Sequence, residues 1–112
     1  MLVFRNFRTG IIAFGIVKGN TATETFLGTG IFATGVVTGN YVSESRFSGI
    51  VVGQGSTVIG NTVTGSRGVG LDVSCPSNVT DNTAINNGIE LPGHPNITLR
   101  GEGCNNTNNV AP

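Results

Sequence analysis

Glu24 and Glu44 each stand four residues after an asparagine, in "NTATE" and "NYVSE". Carboxylates are the groups that acid–base chemistry needs, and two of them about 5 Å apart serve as acid and nucleophile in a retaining glycosidase. Arg46 and Arg67 fall two positions further along the same pattern, where they would neutralise that pair. A solvated or inter-subunit ion-pair cluster is the plainer reading of the four charges.

Other reactive side chains are few. Asp72 and Glu90 form a second acidic pair, but a calcium ion takes more oxygen ligands than two carboxylates supply. His94 is the sole histidine, Met1 the sole methionine and Lys18 the sole lysine, so no metal or other cofactor is expected. Cys75 and Cys104 lack the spacing of a zinc or redox motif. A disulfide in an exported protein competes with two buried or free thiols; their place near a polar, cap-like C-terminus favours the disulfide. No Walker loop, nucleophile elbow or dinucleotide fingerprint is present.

Composition removes further classes. With 112 residues, six basic against six acidic and 11% charged, the chain has no field to draw nucleic acid or anionic lipid. It holds no run of 18 apolar residues, so no membrane-spanning helix is expected. In "FRNFRTGIIAFGIV" two arginines precede an apolar run, as in an export signal, but the run is short, lacks an A-x-A site and fits the repeat below. It reads as structure.

What positions these residues is an internal repeat. Rows open with glycine and an aliphatic: "GIIAF", "GIFAT", "GIVVG", "GLDVS", "GIELP", from Gly10, Gly30, Gly49, Gly70 and Gly88. A period near 20 with three short strands and three turns predicts a parallel β-helix, all-β, of about five coils. It forms one domain over 1–112: an N-terminal strand or cap at 1–9, coils over 10–103, and a polar tail at 104–112. Alternation points Ile11, Ile31, Ile50, Leu71 and Ile89 inward, with Ala13, Ala33, Val52, Val73 and Leu91 two residues later. A third inward column is Val17, Val37, Val58 and Val79 with Ile97 as fifth member; a fourth is Ala22, Val42, Val63 and Ala84. Phe7, Phe26 and Phe47 are expected to stack in a corner.

Asn20, Asn40, Asn61 and Asn82 recur at the same place in four rows. Asparagine tolerates the dihedrals of a tight turn, and its amide can bond the coils on either side. The four are expected to form an internal structural ladder rather than a sugar-binding row. The fifth row carries "NITLRGEGC" in place of the asparagine motif.

The rows "GIVVGQGSTVIGNTVTGSRGVGLDV" and the tail "CPSNVTDNTAINN" with "GCNNTNN" resemble the right-handed parallel β-helix repeats of the pectate-lyase-like superfamily. They are most similar to the bacterial group that includes periplasmic NosD-like proteins. The resemblance implies right-handed winding and a secreted or periplasmic setting. It also implies copper handling or polysaccharide cleavage, for which this chain lacks the ligands and the acidic calcium cluster; activity would rest on fold alone.

The outward columns change character along the chain. Ile12, Phe32 and Val51 give way to Asp72 and Glu90, while Ile16 and Val36 give way to Thr57 and Asn78. Contiguous outward apolar groups mark an interface or a surface covered by missing chain. The expectation is a non-catalytic structural or binding module that self-associates, as a homo-oligomer (dimer or trimer), through Ile12, Ile16, Phe32, Val36 and Val51. The alternative is a carbohydrate-active enzyme, lyase or glycosidase, or a fragment of one, with Glu24 and Glu44 as its acids. Glycan binding along an outer face is a third option, although the chain has no tryptophan and one tyrosine, Tyr41.

Overall fold

The computed structural model describes residues 2–5, 8–88 and 95–111, with the side chain of Phe4 excepted. Two stacks of parallel strands wind into a β-solenoid of about four turns. In chain order the strands are β1 (Leu2–Phe4), β2 (Ile11–Lys18), β3 (Thr21–Thr25), β4 (Ile31–Thr38), β5 (Tyr41–Ser45), β6 (Ile50–Val52), β7 (Thr57–Ile59), β8 (Thr62–Thr64), β9 (Leu71–Ser74), β10 (Asn78–Thr80), β11 (Thr83–Ile85), β12 (Ile97–Arg100) and β13 (Asn105–Thr107). One sheet runs β1-β3-β5-β8-β11; the other runs β12-β9-β6-β4-β7-β10-β13, with β2 on β4. Among the described residues no helix is long and apolar enough to cross a membrane.

The inward columns follow the alternation. Ile11, Ile31, Ile50 and Leu71 are in register, as are Val17, Val37, Val58 and Val79, and Val3 extends the column of Ala22, Val42, Val63 and Ala84. Nearly all of these bury completely, so stacking like on like fills the narrow core without voids. The row-opening glycines are dictated by that packing: a Cβ on Gly30 or Gly49 would collide with a methyl of Val42 or Val63.

Two expectations change. The first two turns hold two strands each, because β2 and β4 run unbroken for 8 residues; two extra residues in the next rows split that wall into β6 and β7, then β9 and β10. The split is held by a column of serines that sequence reading missed. The Gly35 N–H donates to Ser56 Oγ at 3.0 Å and the Ser56 N–H to Ser77 Oγ at 3.1 Å, while the two hydroxyls donate to Gly53 O and Ser74 O. Second, Ile97 stacks on Leu71 and Leu99 on Val73, so β12 rather than the row at Gly88 supplies the next opening strand, and Asn106 rather than Ile97 lies under Val79. Ile89, Leu91 and Phe7 lie outside the described residues. Phe26 and Phe47 are both exposed, with Phe47 backbone-bonded to Gly28 and Gly68.

The asparagine ladder is present and longer than expected. Asn40 and Asn61 each donate from N and Nδ2 to the Oδ1 of the next rung at 2.9–3.0 Å, and Nδ2 also reaches Val17 O or Val37 O. Asn82 continues the pattern onto Asn109 at 2.9 Å. The residues set apart as a tail thus contain β13, the fifth rung, and a bridge from Val110 to Thr83.

Candidate functional site

The bend after β3, β5, β8 and β11 brings the charged candidates together. The register places Arg5, Glu24, Glu44, Gly65 and Asn86 in one column, each at a left-handed φ: 54°, 54°, 56°, 69° and 56°. Glycine and asparagine are the usual occupants of that conformation; a glutamate there costs about 1 kcal/mol. The two glutamates thus start from backbone positions one strand spacing apart, about 4.8 Å. Arg46 and Arg67 donate their backbone N–H groups to Thr25 O and Ser45 O, which fixes them as neighbours beside the glutamates.

A cleft of about 600 Å³ opens over this bend, lined by Arg5, Glu24, Phe26, Glu44, Arg46 and Arg67, with Thr25 and Gly65. Gly65 matters to its shape, since a side chain in that place would stand against Glu44. Glu24 takes its ion pair from Arg5, whose Nε donates to Oε2 at 2.8 Å. Arg46 and Arg67, expected to neutralise the two glutamates, line the same cleft. Arg5 escaped sequence reading because it precedes the first glycine row, and only the register of β1 on β3 reveals its column.

Below the cleft Thr25, Ser45 and Ser66 stack inward. Their hydroxyls are buried and make no hydrogen bond. The column continues with better satisfied amides: the Ser66 N–H donates to Asn87 Oδ1, and Asn87 N and Nδ2 donate to Asn96 Oδ1.

The other candidates lie apart from this cleft. Asp72 is buried at an outward position and accepts two hydrogen bonds from Arg100, Nε to Oδ1 and Nη2 to Oδ2, both 2.7 Å. Hydrogen bonding first, then the carboxylate's charge, hold the Arg100 guanidinium above its ordinary pKa. The place below Asp72 belongs to Thr98. Glu90 and His94 fall outside the described residues. No group of three or more His, Cys, Asp or Glu among the described residues could hold a metal. Cys75 and Cys104 form a disulfide, Cα–Cα 5.0 Å.

The outward apolar row is open. Ile12 is 68% exposed, Ile16 75%, Phe32 45% and Val36 39%, with Val51 half-buried. Phe14, unremarked in the sequence, is 82% exposed on the same strand.

Fold and cleft together define a parallel β-solenoid with one charged cleft at a bend and one apolar outer wall. Comparisons with protein-family models, with curated proteins and with solved structures returned no match.

Proposed function

We propose that this protein is a structural or binding β-helix module, without catalytic activity, that self-associates through its N-terminal coils. The observation that carries this reading is the exposed row Ile12, Ile16, Phe32 and Val36 on β2 and β4, because large contiguous apolar surface on a sheet costs free energy until something covers it. The interface is taken to include Val51, next to Phe32 in register. The repeats favour right-handed winding and a bacterial, pectate-lyase-like ancestry. The disulfide suits an oxidising setting such as the periplasm or the exterior.

Multi-angle light scattering at tens of micromolar tests the reading. An oligomer that dissociates on Phe32→Asp, with the β-sheet circular dichroism unchanged, supports it. A clean monomer overturns it.

The cleft favours a second reading, a carbohydrate-active enzyme with Glu24 and Glu44 as acids. Two strained glutamates facing one cleft are the kind of outlier from which function is inferred. Turnover of any member of a polysaccharide panel, abolished by Glu44→Gln, would displace the first reading. The Arg5 pair weakens it by committing Glu24 to a cation.

A further inference from the structure

The row on β2 reads nearly the same in both directions. In "IIAFGIV" the chain is symmetric about Phe14: Ala13 balances Gly15, Ile12 balances Ile16 and Ile11 balances Val17. The outward members are Ile12, Phe14 and Ile16, which are 68%, 82% and 75% exposed. The neighbouring strand repeats the layout one coil on, because Ile12 is in register with Phe32, Phe14 with Thr34 and Ile16 with Val36.

That symmetry suits an isologous interface, in which residue i of one copy meets j of the other and j meets i. We propose that the partner of this wall is a second copy of the chain, packed outer face to outer face across a two-fold axis that runs along the coils past Phe14. The inference rests on the self-association reading and narrows it to a dimer. Each Phe14 meets its own copy, each Ile12 meets Ile16 of the other chain, and each Phe32 meets Val36. Aromatic and aliphatic groups then fill the space of about 10 Å between packed sheets.

The area suffices. From their exposures the five side chains offer on the order of 600 Å² per copy, so about 1,200 Å² in the pair, the lower end for a stable complex. Below them on the same face, Thr57 and Asn78 and the Asp72–Arg100 pair supply a polar rim around the apolar centre. At the other end of the described solenoid, β13 is polar and exposed at each of its positions.

A charge swap tests the register. Ile12→Glu alone and Ile16→Lys alone each place a charge against an apolar partner, and each should weaken association at least tenfold, about 1.4 kcal/mol. Combined in one chain they bring opposite charges together twice across the axis, and association should return to within about threefold of the parent. Both positions are exposed, so thermal unfolding of the variants checks that the fold is intact. A parent that is monomeric overturns the self-association reading itself. A parent that forms trimers, ignores the single changes, or is not rescued by the pair overturns the two-fold arrangement and leaves self-association standing.

Discussion

Asn61 sits at the middle of the ladder and serves both neighbouring rungs at once. It accepts from the backbone and side-chain nitrogens of Asn40, and donates to Asn82 Oδ1, Val37 O and, at 3.4 Å, Ile59 O. Asn61→Leu keeps the branching of the side chain and strands a buried N–H and a buried C=O. The expected loss is about 3 kcal/mol or more, against about 1 kcal/mol for Asn20→Leu at the half-buried end of the row; urea unfolding measures both. Equal losses would mean that the amides act singly rather than as a row. These asparagines were legible because a turn residue that recurs at fixed spacing must fall at the same bend of every coil. Ser56 and Ser77 were not: serine beside glycine or proline is ordinary turn composition, and only their place just before β7 and β10, where the wall splits, gives them a column.

Among the elements, β12 and β13 depend on a covalent tie. Cys75 follows β9 and Cys104 precedes β13, so the bond pins the last strands onto the coil they cover. Closing a loop with a sequence separation of 29 stabilises by roughly 3 to 4 kcal/mol. Reduction should lower the unfolding midpoint accordingly. Hydrogen exchange should quicken first at the Asn82 and Ala84 amides, whose acceptors are Asn109 Oδ1 and Val110 O. Unchanged exchange there would show that β13 docks without the bond. Alternation identified the first four coils because their inward residues recur without interruption. It failed at the fifth because the strand in register with β9 begins at Ile97, and the next rung comes 27 residues after Asn82 instead of 21.

For the molecule as a whole, the charged cleft and the apolar wall have different legibility. The four charges could be gathered from spacing alone, since Glu24, Glu44, Arg46 and Arg67 keep a fixed offset from the ladder. Their ion pairing could not, because Arg5 belongs to a turn that the repeat had not yet announced. The wall was legible as a gradient but not as a symmetric object, since Phe14 is in register with Thr34 and so falls in no apolar column. The ladder also has a direction. Every rung from Asn20 to Asn82 donates to the Oδ1 of the following rung, and from Asn40 on Nδ2 also reaches back to a backbone carbonyl of the preceding coil. During synthesis each coil therefore waits for the next to emerge before its amides are satisfied. The row becomes complete only when Asn109 arrives, so a stretch that composition would discard as tail closes a chain of dependence begun at Asn20.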